Sequence, residues 1–180
     1  MGTIPNSSVY FAKCIAANGM DMDCIKIGLS HEPVDRVVSV SIQLPFSCEL
    51  IASVPGDVFL EHFVHMWLRS HKVGGEYFHA RGEVLQIAEY ARQHGKLPFK
   101  VYETGEDNWH RVDVPSYMSK HGITFKEVER LSGVTAGLYR KLIERKPCGN
   151  RRFLAALAVT AIKRGLSVTW QRDFIPSRVA

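Results

Sequence analysis

The chain has 180 residues, room for one large domain or two small ones. Its apolar fraction of 46% and charged fraction of 23% are those of an ordinary globular protein. No apolar run reaches the roughly 18 residues that a membrane-spanning helix needs, which argues against a membrane partner. The first eight residues lack the basic start and apolar stretch of a secretory signal, so a cytoplasmic location is expected.

The net charge of +5 conceals a split. Residues 113–180 carry 13 Lys/Arg against 5 Asp/Glu, whereas residues 1–112 carry 10 against 13. A basic half is the footprint of nucleic-acid binding, because Lys and Arg on phosphates release counterions. Cys14, Cys24, Cys48 and Cys148 are scattered with no Cys-x-x-Cys pair, which speaks against a zinc ribbon and gives no disulfide framework. They read as buried free thiols.

In chain order, Ser8 to Cys14 reads as a strand with Val9 and Phe11 on one side and Tyr10 on the other. Asn18-Gly19 and Asp21-Met22-Asp23 mark a turn. Cys24 to Leu29 is a second strand, with Ile25 and Ile27 inward and Lys26 outward. Pro33 suits the first turn of a helix. Val34, Val37, Val38 and Ser41 follow at helical spacing, which sets Arg36 on the flank. Pro45 ends that helix, and Glu49 to Val54 alternates as a third strand.

Val58 to Ser70 is the clearest helix of this half, with Phe59, Leu60, Phe63, Val64 and Trp67 as its apolar stripe. Glu61 and His65 share another face, one turn apart. After Gly74-Gly75, residues 76–78 read as a short strand. Glu83 to His94 is a helix stopped by Gly95. Residues 96–112 show no clear period and form a linker between a domain at 8–95 and one at 113–172.

The outward side chains of the first half are a phenol, an ammonium, a guanidinium and a carboxylate. That set suits phosphodiester hydrolysis. A carboxylate holds a divalent ion that polarises a phosphoryl oxygen, an arginine stabilises charge on the phosphorane, and a phenol near a cation orients water. Zinc is disfavoured, because His62 and His65 at i, i+3 share a face poorly and no further Cys or His completes a tetrahedral site.

Val9-Tyr10-Phe11, Lys26-Ile27-Gly28, Arg36, Glu61, His65 and Glu76-Tyr77-Phe78, in this order, resemble the GIY-YIG nuclease superfamily. The likeness is to its phage-associated branch with a Lys-Ile-Gly second motif, and it covers roughly residues 8–95. The resemblance implies a small antiparallel sheet flanked by helices. It implies Tyr10 as the water-orienting group, Arg36 as transition-state stabiliser, and Glu61 as ligand of one Mg²⁺ or Mn²⁺. His65 would support the scissile phosphate or the base. Lys26 stands where the better-known pattern has a second tyrosine, and the late asparagine of many members has no clear counterpart.

In the basic half, Asp113 is placed to cap a short helix through Tyr117 and Met118 that closes at Gly122. Thr124-Phe125-Lys126-Glu127 is a capping box. Phe125, Val128 and Leu131 face inward, Gly133 supplies a left-handed turn, Val134 anchors it, and Thr135 caps the next helix. Leu138, Leu142 and Ile143 are that helix's apolar face. Phe153 to Arg164 is a packing helix stopped by Gly165.

This stretch resembles the Cro and lambda-repressor-like helix-turn-helix family over residues 113–170. The resemblance implies DNA contacts from Thr135, Ala136, Tyr139, Arg140 and Lys141 on a recognition helix. Lys146, Arg151 and Arg152 lie between the helices, placed for phosphate.

The sequence thus predicts an α+β nuclease-like domain followed by an all-α DNA reader. The leading expectation is a metal-dependent DNA endonuclease of phage or mobile-element character. The rival is a DNA-binding regulator whose first domain keeps the fold for dimerisation or effector binding, and a third option acts on RNA. Double-stranded DNA is the expected partner, with a homodimer left open.

Overall fold

A computed structural model describes residues 6–99, 114–138 and 150–166. The chain divides into two compact units between Phe99 and Lys100.

The first unit is α+β. Its strands are β1 (Ser8–Ala16), β2 (Asp21–Ser30), β3 (Phe46–Pro55), β4 (Lys72–Gly74) and β5 (Tyr77–His79). They form one antiparallel sheet in the order β3-β1-β2-β5-β4. Three helices belong to it: α1 (Pro33–Gln43), α2 (Val58–Trp67) and α3 (Glu83–His94). Strands β2 and β3 are longer than the apolar alternation alone predicts. Strand β4, an exposed three-residue edge, has no such alternation to announce it.

The core follows from period-two alternation on the three long strands. Val9, Phe11, Ile25, Ile27 and Val54 are buried, as are Phe59, Leu60, Phe63 and Val64 of α2 and Val84, Ile87, Ala88 and Ala91 of α3. Two local devices anchor the helices. Asp57 caps α2, its Oδ1 accepting from the N–H groups of Phe59 at 3.0 Å and Leu60 at 3.2 Å. Gly95 ends α3 at φ 62°, a conformation that costs a glycine nothing.

The opposite face of the sheet departs from expectation. Tyr10 and Lys26 are not turned to solvent: their relative exposures are 1% and 5%. Helix α1 lies over this face, and Val37 packs with Tyr10 and Ala12, beside Cys48 and Leu50. The inward stripe of α1 is therefore Val37 and Val40, while Val34, Val38 and Ile42 are exposed. Ser41 joins the helix to β3, its Oγ donating to the Val37 carbonyl at 2.9 Å and accepting from the Cys48 N–H at 2.7 Å.

The described part of the second unit is helical: α4 (Val114–Lys120), α5 (Phe125–Ser132), a helical start at 136–138, and α6 (Arg151–Lys163). The capping box at the start of α5 is formed. The Glu127 carboxylate accepts from both the N–H and the hydroxyl of Thr124, each at 2.7 Å. Gly133 follows α5 at φ 68°, and Val134 is buried. Thr135 Oγ1 accepts a long 3.5 Å bond from the Leu138 N–H.

Helix α6 begins earlier than its apolar run suggests. Asn150 Oδ1 takes the Phe153 N–H at 2.9 Å, so Arg151 and Arg152 occupy the first turn instead of lying between helices. At the far end of α6, Arg164 ties three segments together. It pairs with Glu127 and donates to the carbonyls of His121 at 3.3 Å and Gly122 at 3.1 Å.

Two outcomes follow. Tyr10 lies across Gly28, and a Cβ on Gly28 would meet the phenol oxygen at 2.8 Å and its ring carbon at 2.9 Å. Gly28→Ala should therefore destabilise the protein by about 1–3 kcal/mol in urea denaturation, as overpacked sites do, whereas Gly74→Ala, with open space around it, should be near neutral.

The Thr124 N–H and hydroxyl, with Arg164, hold the Glu127 carboxyl below its usual range. A depressed acid contributes stability that is present above the unfolded value and is lost as pH falls through the folded one. Thermal melts from neutral to acid pH should therefore fall less steeply for Glu127→Gln than for the parent.

Candidate nuclease-type site

Strand register gathers the site. Tyr10 on β1 stands opposite Gly28 on β2, and Lys26 on β2 stands opposite Ala12 on β1 and Tyr77 on β5. Direct cross-strand partners share a face, so Tyr10, Lys26 and Tyr77 line one surface beneath α1. A side chain larger than Gly at 28 would push the Tyr10 ring away.

Arg36 rides on the exposed flank of α1, close enough to the Tyr10 hydroxyl to act on its titration. Burial pushes the Tyr10 phenol above its ordinary value and the Glu76 charge adds to this, while the Arg36 guanidinium opposes both. The Lys26 ammonium is paired with the Glu76 carboxylate and lies 5.2 Å from the centre of the Tyr77 ring. Glu76, immediately before β5, also accepts the Ile27 N–H through its carbonyl at 2.9 Å.

Glu61 and His65 enter from α2. Strand β5 is short and pairs with β2 only from Cys24 to Lys26, so the outer edge of β2 beyond that point lacks a neighbouring strand. The two α2 side chains answer it. His65 Nε2 donates to the Ile27 carbonyl at 2.9 Å, and the Glu61 carboxylate lies near enough to the Leu29 N–H for that group to favour its charged form. A carbonyl only accepts, so the neutral His65 ring carries its proton on Nε2. Burial lowers the His65 pKa, keeping the ring neutral at physiological pH. Its Nδ1 is the nitrogen left for other work.

Burial also raises the Glu61 carboxyl, and the Glu76 charge raises it further. The Lys26 ammonium and the Leu29 N–H pull the other way. Two carboxylates thus share one ammonium. Arg36, Tyr10, Glu76, Lys26 and Glu61 are linked through these contacts and charges into one neighbourhood spanning β1, β2, α1 and α2.

Glu76 enters this network with a role that the sequence assigns only as part of a closing motif. Its signal was an acid beside Tyr77-Phe78. Its partner, Lys26, is 50 positions away.

Among the described residues, no group of three or more His, Cys, Asp or Glu is placed to hold a metal ion. What the neighbourhood offers is the single carboxylate of Glu61, with Glu76 near enough to repel it. A hard divalent ion that retains most of its waters needs only one or two carboxylates, and the repulsion between the two acids is one that a cation relieves.

In the second unit, Thr135 and Ala136 are exposed at the helical start, and Arg152 is exposed with its guanidinium near the Gly133 turn. Arg151 is half-buried. Tyr139, Arg140, Lys141 and Lys146, with Leu142, Ile143 and Asp113, lie outside the described residues.

Replacing Glu76 by Gln removes a charge that lifts Glu61. Carboxyl-carbon NMR titration of Glu76→Gln should show the Glu61 pKa falling toward its ordinary value. An unchanged or higher value would mean that the two acids are not electrostatically coupled. Comparison of the chain with protein families, with curated proteins and with solved structures found no match.

Proposed function

We propose that the protein is a metal-dependent endonuclease that hydrolyses DNA phosphodiesters and is brought to DNA by a helix-turn-helix in its basic half. The observation that carries this reading is the joining of Arg36, Tyr10, Lys26, Glu76 and Glu61 in one charged neighbourhood.

The roles follow from the chemistry of each group. Arg36, exposed and permanently charged, binds a phosphate and stabilises negative charge on its oxygens. It also holds the Tyr10 hydroxyl, which orients water at the phosphorus. Glu61 would hold one Mg²⁺ or Mn²⁺ ion, which supplies Lewis-acid polarisation of a phosphoryl oxygen when bound. Lys26 neutralises Glu76 and keeps Glu61 from facing it alone. The DNA-docking part of the proposal is supported by the capping box, the Gly133-Val134 turn and the exposed Thr135, Ala136 and Arg152, together with 13 Lys/Arg against 5 Asp/Glu over residues 113–180.

One observation favours a second reading, a DNA-binding regulator with a catalytically degenerate first domain. Tyr10 is 1% exposed and its phenol is raised by burial, so it resists deprotonation, while Lys26 is committed to Glu76.

Plasmid DNA incubated with the protein and Mg²⁺ or Mn²⁺ separates the two. The nuclease should nick or linearise it. Glu61→Gln and Arg36→Ala should each lower that rate by about 100-fold or more while leaving salt-sensitive DNA binding in place. Binding with no cleavage under either metal sinks the nuclease and supports the regulator.

A further inference from the structure

Three of the four cysteines, far apart in sequence, meet on the sheet face that carries Tyr10 and Lys26. Cys14 on β1 stands directly opposite Cys48 on β3. On its other side, Lys13 of β1 stands opposite Ile25 of β2, so the same register leads Cys14 toward Cys24 just before the ladder shifts. Both neighbouring thiols lie near enough to Cys14 to raise its pKa along with burial. Cys14 is fully buried, whereas Cys24 and Cys48 are partly exposed, so the trio has a closed centre and two approachable ends.

We propose that Cys14 and Cys48 form a reversible cross-strand disulfide when the protein meets a peroxide-class oxidant, with Cys24 as the third thiol of the site. Opposed residues in an antiparallel pair have Cα atoms about 4.5–5.5 Å apart, inside the range of about 4.4–6.8 Å that a disulfide spans. The register therefore sets the two Cα atoms at a separation that a disulfide can span.

The chemistry balances as two steps. The partly exposed Cys48 sulfur attacks the peroxide, the O–O bond breaks, and a sulfenic acid and water form. The Cys14 sulfur then displaces the sulfenic hydroxyl, which leaves as a second water with the Cys14 proton. Two thiols lose two electrons and the peroxide gains them. Cys14 does not begin the sequence. Burial and its two sulfur neighbours hold its thiol far above the ordinary range, so little thiolate is present until contact with an oxidised Cys48 supplies the advantage of proximity. The closure step is therefore slow at neutral pH and accelerates about tenfold per pH unit while the thiolate is the minor form.

The site lies against the nuclease-type face. Cys48 packs on the cluster of Tyr10, Ala12 and Val37. The bond would tie the strand that carries Tyr10 to its neighbour β3.

The test uses the full chain with Cys148→Ser, fully reduced and then treated with hydrogen peroxide at several pH values. Peptide mapping by mass spectrometry should find a Cys14–Cys48 linked pair, lighter by two hydrogens, that dithiothreitol reverses and that forms faster as pH rises. Cys24→Ala should keep the link, and Cys48→Ala should abolish it. Should Cys48→Ala fold poorly, the mapping of the parent chain decides alone. Sulfinic or sulfonic acid on Cys48 or Cys24 with Cys14 still reduced overturns the proposal. So does a link between two chains, a Cys24–Cys48 link without Cys14, or no reaction.

Discussion

An ammonium 5% exposed in the middle of a sheet persists only with a counter-ion, and Glu76 supplies it to Lys26. Removing one partner of a buried pair costs about 3–5 kcal/mol. The figure here is discounted because Glu76 is itself half in solvent. That single pairing sets much else. It places a carboxylate at the end of the β4–β5 hairpin, beside the rising Glu61 and Tyr10 groups. Arg36, exposed on α1, is the charge that acts on the Tyr10 hydroxyl from the other side. Lys26 thus acts as an internal cation around which two acids and a phenol arrange themselves.

The second unit depends on a comparable economy of contacts. Arg164, at the end of α6, reaches the carbonyls that follow α4 and the carboxylate of the α5 cap. A short helical array has few side chains to spare for its core, and α6 responds by burying nearly every residue from Phe153 to Ala161. Alanines let its neighbours approach closely. The small residues and one long cation together do what a larger hydrophobic core does elsewhere.

Local signals made much of the fold legible. The capping box at Thr124 and Glu127, the stop at Gly95 and the apolar faces of α2 and α3 all arise within a few residues of one another. Burial of Tyr10 and Lys26 was not legible for a clear reason. Alternation says which side of a strand a residue takes, and it says nothing of whether a helix will cover that side. Val34 and Val37 look alike in sequence, yet only the second meets the sheet. The cysteine site was hidden in the same way, because it depends on the register of β1 against its two neighbouring strands. The start of α6 at Arg151 turned on one asparagine whose capping role competes with a more obvious apolar run.

The way α2 meets β2 has a consequence for solubility. Beyond Lys26 the strand's rim offers a carbonyl at Ile27, which His65 engages, and an amide at Leu29 beside the Glu61 carboxylate. Unpaired rims of this kind are templates on which foreign strands add. Glu61 and His65 are therefore guards against self-association as well as members of the polar neighbourhood. Shortening either to alanine unplugs the rim, so a lost activity in such a variant can stem from clumping, whereas a glutamine in place of Glu61 keeps an acceptor facing the Leu29 amide.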